Sequence, residues 1–158
     1  MFGMQKGLDF HIEKQHELEN EDLFDRKVLA LLVEIGELAN ETRCFKFWSL
    51  KPSSPPEVVL EEFVDGVHFM LSLGLECGFD FHEEINSGEV NQINMNEQFL
   101  TVYESIHAFR SERTLESYIH MFQNYLILAN MLGFEDEDIK KAYISKNEVN
   151  YRRQQEGY

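Results

Sequence analysis

Two stretches decide how this chain folds: Val28-Leu-Ala-Leu-Leu-Val-Glu34-Ile-Gly-Glu37-Leu-Ala39, and Val58-Val-Leu-Glu61-Glu62-Phe-Val-Asp65-Gly-Val-His68-Phe-Met-Leu-Ser-Leu-Gly-Leu75. In the first, Val28, Leu31, Leu32, Ile35, Leu38 and Ala39 fall at i, i+3, i+4, i+7 spacing, one apolar stripe of a helix. In the second, Leu60, Phe63, Val64, Val67, Met70 and Leu71 repeat the pattern. Between them lies the strongest break in the chain, Ser49-Leu50-Lys51-Pro52-Ser53-Ser54-Pro55-Pro56. Proline is favoured in the first turn of a helix, where its missing N–H costs nothing. Pro55-Pro56 therefore predict the opening of a helix over Glu57–Glu76, facing an earlier one over about Leu23–Arg43.

Outward from this pair the chain continues helix after helix. A first helix is expected over Leu8–Leu18, followed by a short polar stretch, Glu19–Asp22. Gly78 to about Asn94 reads as a polar connection with a turn at Gly88. Helices follow over about Asn96–Arg110, Thr114–Leu132 and Asp136–Arg153, the last after Gly133, a residue suited to a helix C-cap. No alternating strand pattern, repeat or composition shift interrupts the series. The expectation is an all-α bundle of about five to six helices, forming a single domain over residues 1–158.

Glu34 and Glu37 lie three apart, as do Glu62 and Asp65, so each pair shares a helix face. A solvated face has the same spacing, and that reading stands beside any other. Several features pull against it. From Val28 to Ala39, Glu34 and Glu37 are the charged residues, and from Val58 to Leu75 they are Glu61, Glu62 and Asp65, with no Lys or Arg in either stretch. Phe69 and Leu73 continue the Asp65 side, and Ala30 precedes Glu34. Helices apolar on nearly every side are buried, and burying an unpaired charge costs several kcal/mol per ion, roughly. Neighbouring carboxylates also raise one another's pKa values. A divalent cation offsets both costs. An all-oxygen donor set favours Mg²⁺, with Mn²⁺ as substitute, over zinc.

The bulk composition narrows the partners. With 14 Lys and Arg against 29 Asp and Glu, the net charge of −15 leaves no basic footprint for a nucleic-acid polymer. An anionic ligand would need bound cations to offset that field. Cys44 and Cys77 are too few for a disulfide framework, no run is long enough to span a membrane, and Met1–Phe10 lacks the apolar core of a signal peptide. A cytoplasmic setting is expected. Basic residues gather late in the chain: Lys140, Lys141, Lys146, Arg152 and Arg153 are five of the 14. Lys146, Asn150 and Arg153 fall on one helix face, suited to an anion or merely to complementing the helix dipole.

Glu34-Ile-Gly-Glu37 followed by Glu62-Phe-Val-Asp65 resembles the ExxE…ExxD arrangement of the MazG-like all-α nucleotide pyrophosphohydrolases. Glu37-Leu-Ala-Asn40, Phe45-Lys46-Phe47-Trp48 and the tail Lys146-Asn147-Glu-Val-Asn150-Tyr-Arg-Arg153-Gln154 resemble the dimeric dUTPase branch. The resemblance runs from about Gln15 to the C-terminus. It implies hydrolysis of dUTP to dUMP and pyrophosphate by a homodimer with Mg²⁺. It makes Glu34, Glu37, Glu62 and Asp65 the metal ligands, with Glu34 or Glu37 also orienting and deprotonating the attacking water. Lys146, Asn150 and Arg153 would hold the phosphates. Trp48 and Lys46 would border the nucleotide pocket, and Gln15 would lie near the base.

Two departures are visible. Longer members continue past the Gly157-Tyr158 pair with residues that help cover the substrate, so closure here is expected to be simpler or to use the neighbouring subunit. After Leu18 this chain has Glu19 where an asparagine is expected, which keeps dCTP or a wider set of deoxynucleotides in play. A non-catalytic helical interaction protein with an acidic surface is the rival of another class. Among other residues, His68 reads as a core histidine, Cys44 as a buried thiol, Glu135–Asp138 as a helix cap, and Met121, Phe122, Tyr125, Leu128 and Met131 as core or dimer interface.

Overall fold

The computed structural model describes residues 1–79, 85 and 94–157. Among these it has six helices and no strand: α1 (Phe2–Gln15), α2 (Phe24–Thr42), α3 (Pro56–Glu76), α4 (Met95–Glu112), α5 (Leu115–Leu132) and α6 (Asp136–Gln155). The expected turn at Gly88 lies outside the described residues. No helix among them is long and apolar enough to cross a membrane.

Local chemistry explains several helix ends. Pro55 and Pro56 open α3 as expected. Asn94 with Glu97 and Thr114 with Ser117 form capping boxes that satisfy first-turn N–H groups of α4 and α5. Gly133, at φ 80°, ends α5 in the left-handed conformation that glycine adopts without strain. The backbone N–H of Glu135 donates to Asp138 at 3.2 Å, so the acidic run is the cap of α6.

The first helix differs from expectation, running Phe2–Gln15 rather than Leu8–Leu18. Its sequence, with Gly3 and Gly7, carries little intrinsic helix preference. Tertiary contacts hold it instead. Gln5 Oε1 accepts from His68 Nδ1 at 2.8 Å and from the Tyr143 hydroxyl at 2.9 Å, and Ser72 Oγ donates to Asp9 at 2.7 Å. The helix stops where Glu17 takes a positive φ of 57°.

The centre of the bundle is α3, buried on nearly all sides from Val59 to Gly74. It runs antiparallel to α2: Lys27 meets Glu76 at 2.6 Å near one end, and the Ser54 N–H reaches the Glu41 carbonyl at 3.0 Å at the other. It is also antiparallel to α6, whose Tyr143 stacks on His68 with ring centroids 4.2 Å apart. From α5, Tyr125 stacks on Phe63 at 4.2 Å and donates its hydroxyl to the Phe63 carbonyl. Met121, Phe122, Tyr125 and Leu128 are buried in this core, and Met131 is half-buried. His68 is likewise core. Its Nδ1 is satisfied by Gln5, while its Nε2 has no hydrogen-bond partner among the described residues.

Candidate active site

The antiparallel packing of α2 on α3 turns two sequence pairs into one cluster. Carboxylate oxygens of Glu34, Glu62 and Asp65 all lie within 4.8 Å of one another, each residue half-buried. Glu37 stands at the exposed rim, outside that convergent group, yet near enough for its charge to act on Glu34 and Glu62. Behind Asp65, α3 presses closely on α5. A Cβ on Gly66 would sit 2.3 Å from the Tyr125 hydroxyl, so only glycine permits this approach.

Burial and mutual repulsion both show in the acidities. The Glu34 carboxyl is pushed up to about 7, first by burial, then by the charges of Asp65, Glu37 and Glu62. Burial likewise raises Glu62, helped by Asp65 and Glu37. It raises Asp65 even though Lys146 works the other way.

Neither carboxylate-bearing stretch holds a Lys or Arg, but α6 brings one across. Lys146 Nζ lies 2.7 Å from Asp65 and 2.7 Å from Glu61, with its side chain only 10% exposed. Burial alone would depress the Lys146 pKa, and hydrogen bonds to the two carboxylates outweigh it, so the ammonium is held charged. Arg153, exposed farther along α6, adds its positive field at Glu61 and Asp65. Asn150 lies between them, half-buried.

The α2–α3 connection carries Lys46 and Trp48. Arg43, left-handed at φ 59°, ends α2 and ties the connection down through Ser49 (2.7 Å) and the Lys51 carbonyl (3.1 Å). Lys46 donates to Asn40, one turn beyond Glu37 on α2. Trp48 is 64% exposed and edge-on to Phe47 and Phe45, an open aromatic wall. Gln15 is exposed at the end of α1 and gives its amide to the Gln154 carbonyl at 2.7 Å, so it lies beside the end of α6.

Two features escaped sequence reading. The spacing marks Glu61 only as one of three acids in its stretch, and its partner Lys146 is 85 residues away in sequence. On α1 the buried glutamine is Gln5, which also donates to Asp9 at 2.7 Å. The Gln5–Leu8–Asp9 spacing, one helical face, was the available signal.

The donor set suits a hard divalent cation: several carboxylate oxygens converge, His and Cys are absent from the cluster, and burial and neighbouring charges raise Glu34 and Glu62. Such acids on a helical bundle, with an ammonium and a guanidinium field on the facing helix, suit a cation-assisted hydrolase of a phosphate-bearing substrate. Residues 1–158 match the family model described as dUTPase, and the chain belongs to the dimeric dUTPase family. It is therefore an enzyme, one that hydrolyses dUTP, and the non-catalytic alternative falls away. No curated protein matches the chain.

Proposed function

We propose that this chain is a single-domain, cytoplasmic, homodimeric dUTPase that uses Mg²⁺ to release dUMP and pyrophosphate. The observation that carries the reading is the convergence of Glu34, Glu62 and Asp65 within 4.8 Å beneath the Lys146 ammonium. Mg²⁺ bound by these three, with Glu37 completing the set from the rim, would offset the triphosphate charge and stabilise the charge developing at the scissile phosphoryl group.

The chain's own groups do the rest. Glu34 or Glu37 orients the attacking water and takes its proton. Lys146, Asn150 and Arg153 hold the phosphate oxygens from one face of α6, which is the positioning and electrostatic work that phosphoryl transfer requires. Trp48 and Lys46 border the nucleotide, and Gln15 serves the base side. Leu29 and Val33 on α2 and Leu100 on α4 are exposed apolar residues that support pairing with a second copy.

A deoxynucleotide panel with pyrophosphate detection, run with and without chelator, tests the reading. dUTP should react in Mg²⁺ and stop with EDTA. Turnover of dCTP while dUTP is refused would overturn the substrate, and full activity in chelator would overturn the metal. Light scattering should give twice the 18.6 kDa chain mass.

A further inference from the structure

We propose that Glu61 is a positioning residue for Lys146: it keeps the ammonium over the site when Asp65 is given up to a cation. The inference rests on the metal and phosphate roles proposed above.

Glu61 and Glu62 are adjacent on α3, so about 100° separates them around the helix and they cannot both face the same way. Glu62 joins the cluster, whereas Glu61 is outside it and 56% exposed. Glu61 and Asp65, four apart, share the ridge beneath α6. Lys146 is gripped between them at 2.7 Å on each side. An ammonium carries three donors on a flexible stem. Two carboxylates therefore fix its place far better than one.

The two anchors are not equivalent. Asp65 also belongs to the cluster expected to take the cation, and a divalent ion there weakens the hold of Asp65 on a second positive charge. Without another anchor the lysine stem is free to swing toward solvent, away from the triphosphate. Glu61 lies outside the cluster, so its grip survives cation entry. The Arg153 charge also acts on Glu61, after that of Lys146. An exposed ion pair is usually worth little. This one differs because its lysine is 10% exposed and already committed on its other side.

The test is a cycle of Glu61→Gln, Lys146→Met and the double variant, with Glu61→Asp as the conservative replacement. Steady-state kinetics on dUTP and calorimetry of Mg²⁺ with nucleotide-free protein are the two readouts. In Glu61→Gln, KM should rise about tenfold, the worth of one charge-assisted hydrogen bond, with kcat changing less than about threefold. Glu61→Asp should recover part of that loss. In the Lys146→Met background, Glu61→Gln should change KM little. In the Mg²⁺ titration it should weaken affinity more when Lys146 is present than when it is absent. Equal effects of Glu61→Gln in both backgrounds, or none in either, would overturn the proposal while leaving the metal reading intact. A wild-type protein that binds no Mg²⁺ would overturn the metal reading, and the KM cycle would still decide the role of Glu61.

Discussion

Lys146 Nζ stands 2.7 Å from Asp65 Oδ2, joining the last helix to the carboxylates of the third. Both side chains are largely shielded, 10% and 18% exposed. Removing one member of a shielded pair leaves the other uncompensated. Lys146→Met should lower dUTP turnover at least about a hundredfold, through lost phosphate contacts. It should also destabilise the metal-free protein by about 1–3 kcal/mol in urea. Mg²⁺ should shrink that deficit by taking over the charge compensation. Identical urea midpoints for variant and wild type without metal would show that the pair contributes nothing.

Glu37→Gln separates chemistry from folding. Glu37 is exposed and outside the convergent three, so its replacement leaves the core untouched. Turnover should fall by more than about a hundredfold, as for loss of a group active in the transition state. Circular dichroism and melting should be unchanged. Full activity would remove Glu37 from the mechanism.

Gly66→Ala tests the close contact behind Asp65. The added Cβ meets the Tyr125 hydroxyl at 2.3 Å and its ring carbon at 2.9 Å. Overpacking of this kind costs about 1–3 kcal/mol. Because Asp65 is the preceding residue, activity should fall too. Tyr125→Phe in the same chain removes the nearer atom and should restore part of the loss in both chemical denaturation and turnover. No recovery in either would mean that the hydroxyl is not the obstacle.

His68 should give the protein an acid-sensitive stability. Its pKa is pushed down to about 4, mainly by burial and further by Lys146, from an ordinary 6.5. A base whose folded pKa is depressed contributes stability that is fully present above the unfolded value. That contribution is lost as pH falls from about 6.5 toward 4. The full effect is about 3 kcal/mol. Gln5 from α1 and Tyr143 from α6 pack on the ring, and neither offers a charge to hold an imidazolium. His68→Gln should therefore show a flatter decline of stability between pH 6.5 and 4 than wild type. Parallel curves would rule His68 out as the source.

The site was legible in sequence as far as helical spacing reaches. Glu34/Glu37 and Glu62/Asp65 could be paired because i, i+3 neighbours share a face whatever surrounds them. That three of the four converge while Glu37 stays at the rim depends on how α2 and α3 are rotated against each other, which spacing does not specify. Gln15 and Gln5 make the same point on α1. Both are helical glutamines, and only packing against His68 and Tyr143 distinguishes the buried one.

What the sequence alone determined is local: helices 2 to 6 to within about two residues, the Pro55-Pro56 start of α3, the Gly133 stop of α5, the acidic cap of α6, and the acidic and basic faces. Apolar periodicity and cap chemistry act over one or two turns, and no distant residue alters them. The tertiary structure decided where α1 begins, which acids meet, and that Lys146 bridges Asp65 and Glu61 from 85 residues away. Those outcomes follow from helix rotation and register, set by the whole core packing at once.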